Sequence, residues 1–267
     1  MAIDYVIDYA CVPKEALTTE GIVERLKARE RAQAVIGLFR ENGDQRPPSE
    51  MGFEFTRTNA AGEEVTQVIV VQEMLDRAAE LDPLAQYCAG CPANVSGAPF
   101  GCVGSIAYPI SAASERWLLD QLPGIDQPLA WLLLRQGVQE MGYDGAPVRP
   151  LRANPTYFEE RRVAGRDLVE FVMTADQVFE MLFLLGNIQP AHAGVLLLLF
   201  GAIPREVEAG QIVQIMNRTL SADDIARDFP FQMAILPDDD ATVAALKAFF
   251  HALHRAWTLN VPLLLDV

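Results

Sequence analysis

The sequence predicts an α+β fold, with a strand-rich N-terminal half that carries a cysteine-containing loop and a helix-rich C-terminal half. Three observations predict it. Around Met51, Phe53 and Phe55 apolar residues alternate with smaller or polar ones, the period of a half-buried strand. From about residue 111 onward, segments such as SAASERWLLDQL and DQPLAWLLLRQGVQEM carry helical spacing instead. No internal repeat and no low-complexity linker interrupts the chain, so residues 1–267 are expected to form a single α+β domain. With 51% hydrophobic and 21% charged residues, the chain has the composition of a well-packed globular protein rather than a disordered one.

Residues 3–12 are rich in Ile, Val and Tyr and predict a strand ending at Cys11 and Pro13. Thr18 or Thr19 then caps a helix running to about Glu41, stopped by Asn42–Gly43. The strand at MGFEFT, the turn NAAGEE and the return strand VTQVIVV make 51–71 a hairpin, and 72–86 a helix that delivers the chain to Cys88. Two helices follow the cysteine loop, separated by Pro123–Gly124, with Asp126 and Pro128 opening the second. DLVEFVM reads as a strand, and Thr174 with Gln177 has the form of a capping box. Val243, Leu246, Phe250, Leu253 and Trp257 form one apolar stripe, so 240–257 is a helix whose start is favoured by the aspartates of PDDD.

The longest apolar region, 178–203, is broken by Glu180, Asn187, Gln189, Pro190 and His192, whereas a membrane span needs about 20 uninterrupted apolar residues. It therefore predicts two buried helices joined at Gly186–Pro190 and no membrane span. A homo-oligomer face or a lipophilic pocket is the weaker alternative. The formal charge of −15 argues against a nucleic-acid surface, which needs a basic footprint. The start MAIDYVIDYACV has no basic region before its apolar residues, so no signal peptide is expected. The expected compartment is cytoplasmic, where thiols stay reduced.

The chemistry concentrates in residues 87–104. The four cysteines follow the pattern Cys11, then Cys88-x2-Cys91-x10-Cys102. Two cysteines separated by two residues can turn both sulfurs toward one point, a spacing that recurs in zinc and iron–sulfur sites. Gly90, Gly97, Gly101 and Gly104, with Pro92 and Pro99, suit a compact loop that returns Cys102 to that point. Cys11 is the expected fourth ligand. A free cysteine often behaves as a small buried hydrophobe, which accounts for one cysteine better than for three in a Gly- and Pro-rich loop.

An iron–sulfur cluster, [4Fe-4S] before [2Fe-2S], is the leading expectation for the metal. Structural zinc sites pair two short knuckles, and here there is one. The expected role is electron transfer to a redox partner protein, redox sensing or structural support. Zn in a structural or interaction protein is the first alternative, and an enzyme with a three-cysteine cluster and an open iron the second. Dithiol redox chemistry by Cys88 and Cys91 ranks below these.

Tyr87, Phe100 and Tyr108 flank the cysteines as expected shields against water. The three histidines, His192, His251 and His254, lack companion ligands in the sequence and are expected to be structural. Arg149, Arg152, Arg161, Arg162 and Arg166 reverse the charge locally, and ordinary salt bridges are the first expectation for them. An anionic ligand is the second. No nucleophile elbow, P-loop or dinucleotide-binding pattern occurs.

Overall fold

The first strand cannot bury its two faces alone, and its partners come from far along the chain. The computed structural model describes residues 2–58 and 64–266. In chain order the elements are β1 (Ala2–Ile7), α1 (Val12–Leu17), α2 (Thr19–Glu41), β2 (Gly52–Thr58), β3 (Glu64–Val70), α3 (Val71–Ala79), β4 (Val103–Ala107), α4 (Ala112–Asp120), α5 (Pro128–Met141), α6 (Arg149–Arg152), β5 (Gly165–Asp167), β6 (Val172–Thr174), α7 (Ala175–Phe183), β7 (Asn187–Ile188), α8 (Pro190–Leu199), α9 (Ala209–Asn217), α10 (Ala222–Asp228), α11 (Ala241–Thr258) and β8 (Leu263–Asp266). Short 3-10 turns lie at Pro48–Glu50 and Asp82–Cys88. The fold is mixed α+β, as the sequence predicts. No helix among the described residues is long and apolar enough to cross a membrane.

The chain divides into two compact units. The smaller comprises Ala10–Cys91 and Gly97–Phe100. Its long helix α2 starts where Thr18 accepts the Gly21 amide at 3.2 Å and stops at Asn42, followed by Gly43 at φ 79°. Only Ile22, Ala28 and Ala32 of this helix are buried, and these mostly small side chains let α3 pack closely against it. Ala32, Met51 and Val71 form the core, flanked by Val35, Ile36, Phe39, Met74 and Leu75. The hairpin β2–β3 pairs antiparallel from Gly52↔Val70 to Thr58↔Glu64. Apart from Glu64, the NAAGEE turn expected between these strands lies outside the described residues.

Two expected boundaries in this stretch move. The first strand ends at Ile7 rather than residue 12, because Pro13 at the start of α1 is pre-organised for a helix. The helix expected over 72–86 ends at Ala79, because Pro83 lacks the amide that would bond the Ala79 carbonyl, and the chain goes on as the 3-10 turn Asp82–Cys88.

The larger unit holds Met1–Tyr9, Pro92–Ser96 and Gly101–Val267. Its antiparallel sheet has the order β4-β1-β8-β7. β1 is central and buried, and α11 packs on β1, β4, β8, α4 and α8. The interior is aromatic. Tyr5, Phe249, Phe183, Phe179 and Phe158 follow one another at ring separations of 4.9–5.4 Å. The apolar region 178–203 forms α7 and α8 with β7 between them, and Val178, Leu182, Phe183, Leu196, Leu197 and Leu198 are fully buried. The capping box at Thr174 and Gln177 opens α7 as expected.

Gly104 opposes Tyr5 in the β1–β4 register, and an added Cβ would meet the Tyr5 ring at 2.4 Å. Gly104→Ala therefore displaces a ring packed on Phe249, with an expected loss of about 1–3 kcal/mol in denaturant unfolding.

Helix starts at the two ends of this unit are joined. Asp240 accepts the Thr242 and Val243 amides at 2.9 and 3.3 Å and the Ser111 hydroxyl at 2.8 Å, while Ser111 caps α4 at the Ser114 amide. Asp239 pairs with the largely buried Lys247 at 2.7 Å. The acidic run thus serves the helix, as expected. Two other expectations change. Gln127, not Asp126, stands at the start of α5, and the Asp126 carboxylate lies against Gly124. DLVEFVM is not one strand. Leu168 is buried, its carbonyl accepts the Trp131 indole N–H at 3.1 Å, and the chain reverses through Val169 at φ 76° to make the hairpin β5–β6.

Candidate metal centre

The cysteine loop opens where the 3-10 turn Asp82–Cys88 ends. The Cys91 amide donates to the Cys88 carbonyl at 3.3 Å, with Gly90 between them at φ 72°. Gly90 supplies a left-handed conformation that costs other residues strain. The Cys88 sulfur is buried and accepts the Phe100 amide at 3.2 Å. Phe100 holds φ 60° to present that amide, and its own side chain is buried. A bulky residue with positive φ is uncommon, and here it coincides with the N–H···S bond.

Cys11 is half-buried at the start of α1, and its carbonyl accepts the Lys14 and Glu15 amides at 3.0 and 3.1 Å. Helix α1 packs against the turn that ends at Cys88. Cys11, Cys88 and Cys91 belong to the smaller unit, and Cys102 to the larger, immediately before β4, where its carbonyl accepts the Ile7 amide at 3.0 Å. All four residues carry thiols rather than disulfides. Among the described residues, no group of three or more His, Cys, Asp or Glu side chains is gathered so as to hold a metal ion. The donor set itself is soft: four thiols, with a backbone N–H on the Cys88 sulfur. That chemistry suits iron–sulfur clusters and zinc alike. Of the flanking aromatics, Phe100 is buried, Tyr108 is half-buried and Tyr87 is exposed.

The three histidines belong to the larger unit. His254 Nε2 lies 2.9 Å from the Phe229 carbonyl, and His251 stacks on Phe231 at 4.9 Å. Burial lowers the pKa of His192, His251 and His254 below the usual imidazole value, with Arg255 adding to the effect at the last two. As pH falls, the unfolded chain therefore takes up protons before the native one does. The stability that these neutral histidines contribute is present above the ordinary imidazole pKa of about 6.5 and is lost as pH falls below it. Urea unfolding across this window is expected to show stability rising with pH, and His254→Gln is expected to flatten the slope.

The arginines divide into two kinds. Arg166 donates to the Leu119, Asp120 and Leu122 carbonyls at 2.7–3.0 Å and so fastens β5 to the end of α4. Arg152 is buried, bound to Asp176 at 2.5 Å, to both Glu115 oxygens and to the Glu160 carbonyl at 2.8 Å. These two tie elements of the fold together. Arg149, Arg161 and Arg162 are exposed.

Sequence reasoning missed the Glu115–Arg152–Asp176 network. Its one sequence signal is Glu115 itself, a charge on the same helical face as Leu118, Leu119 and Leu122. Fold and site together define a mixed α+β protein with a thiol-rich loop. No protein-family description, curated protein or solved structure matches this chain.

Proposed function

We propose that the protein is an iron–sulfur protein that binds a [4Fe-4S] cluster through Cys11, Cys88, Cys91 and Cys102. The N–H···S bond from Phe100 to the buried Cys88 carries the reading most directly, because hydrogen bonds of this kind stabilise a metal-bound thiolate and tune its cluster. Cys11 is supported by the packing of α1 on the turn that delivers Cys88, and Cys91 by its amide bond to the Cys88 carbonyl. Cys102 is supported by its spacing, eleven residues after Cys91 and two after Phe100. The ligand set is one that metal binding itself draws together, since metal affinity and local folding are coupled.

When bound, the cluster supplies one-electron chemistry, for exchange with a redox partner protein or for sensing, or else a structural cross-link. The chain's own residues hold it. The thiolates bind iron, the Phe100 amide stabilises the charge on Cys88, and the Phe100 ring keeps water from that sulfur. A cytoplasmic location, where these thiols stay reduced, is part of the proposal.

Chemical analysis of protein purified without oxygen tests it. About four irons and four sulfides per chain are expected. One zinc with no sulfide would replace the reading with a structural zinc site, and neither metal would end it.

A further inference from the structure

Two adjoining clefts lie on the larger unit, and both include Val163. The smaller, about 300 Å³, is lined by Arg149, Arg152, Ala153, Arg161, Val163 and Asp176. The larger, about 590 Å³, has Arg116, Arg162 and Leu119 in its wall together with the carboxylates of Glu115, Asp120 and Glu160. Such volumes are those of small-molecule sites.

The charges around the smaller cleft are unequally committed. Asp176 and Glu115 are both bound to Arg152. That buried network carries one net negative charge, and Arg149 and Arg161 on the same cleft outweigh it. Arg149 reaches only the Asp144 carbonyl, at 3.3 Å. Among the described residues, Arg161 and Arg162 make no hydrogen bond or ion pair with another side chain or carbonyl. In a chain of net charge −15 such arginines would be expected to find surface carboxylates. These stand at a cleft instead. Arg152 itself spends four contacts on acceptors, while a guanidinium has five N–H donors, so one N–H remains for a ligand at the cleft wall. Its orientation is fixed by burial and by the Phe158 ring 4.2 Å below it.

We propose that this is a binding site for a phosphorylated small molecule. The phosphate sits between Arg149, Arg152 and Arg161, and the organic part extends past Val163 into the larger cleft, where Leu119 offers an apolar surface. Arginine matches the phosphate oxygens with paired donors, and a dianion best answers several unpaired cations. This site is independent of the cysteine loop and stands or falls without it.

Calorimetric titration at fixed ionic strength tests the proposal, with inorganic phosphate, glycerol 3-phosphate and succinate as separate probes. Saturable binding of glycerol 3-phosphate, tighter than that of inorganic phosphate, is expected. Arg161→Ala and Arg149→Ala, both at exposed positions, are each expected to weaken it about tenfold. Arg135→Ala removes an equal charge beside Glu170, outside both clefts, and is expected to leave affinity unchanged. Equal weakening by Arg135→Ala would reduce the effect to net charge and overturn the site. Tighter binding of succinate would overturn the phosphate assignment. Equal affinity for the two phosphate probes would remove the organic part from the proposal. Absence of saturable binding by any probe would refute it entirely.

Discussion

Arg152→Ala is expected to cost the fold about 3–5 kcal/mol, which is a large part of the 5–15 kcal/mol that holds a typical domain together. The cause is what the substitution leaves behind. Glu115 and Asp176 are each about 95% buried, and both use the Arg152 guanidinium as their ionic partner. Without it two carboxylates remain close together in the interior with no compensating charge. The lost contact with Phe158 and the unfilled Glu160 carbonyl add to the loss. Urea unfolding at neutral pH reads the effect. A second variant separates the network from simple packing: Arg152→Met combined with Glu115→Gln and Asp176→Asn removes all three charges at similar volume and is expected to recover much of the loss. A loss below about 1 kcal/mol in the single variant would show that the network does not anchor this region.

Cys88→Ser is the second large effect. In the metal-loaded protein it is expected to abolish bound iron, because serine oxygen is a harder, poorer ligand for iron than thiolate, and the Phe100 amide would then point at a hydroxyl. Cys91→Ser is expected to do the same. Cys11→Ser distinguishes the four-thiolate cluster from a three-thiolate one. Loss of iron is the expected result. Full iron occupancy with an unchanged spectrum would remove Cys11 from the ligand set and leave an open iron position, which belongs to catalysis rather than to electron transfer.

Much of the fold was legible because it rests on local chemistry. Thr18 caps α2, Thr174 and Gln177 box the start of α7, and Asp240 caps α11, each through side chain-to-backbone bonds that only nearby residues decide. The apolar run 178–203 announced its own burial, and its Gly, Asn and Pro announced the break. Where expectation failed, tertiary contacts or proline decided. Nothing within DLVEFVM says that the Trp131 indole will claim the Leu168 carbonyl and fold the segment into a hairpin. Pro83 shortened α3 against its apolar pattern.

The cysteine loop was legible as a pattern of types and spacings, down to the glycine between Cys88 and Cys91. The amide of Phe100 on the Cys88 sulfur was not, since it depends on a left-handed phenylalanine that no propensity favours. The arginines show the same limit. Five of them read as one basic segment in sequence, and only packing separates Arg152 and Arg166, which spend most of their donors on interior carboxylates and carbonyls, from the exposed Arg149, Arg161 and Arg162.

A redox-active cluster held by these thiolates is tested most directly by the visible absorption spectrum of protein purified without oxygen, recorded before and after reduction with dithionite. A broad, brown-coloured absorption that bleaches on reduction is the expected result. A colourless protein whose spectrum does not respond to dithionite would contradict it.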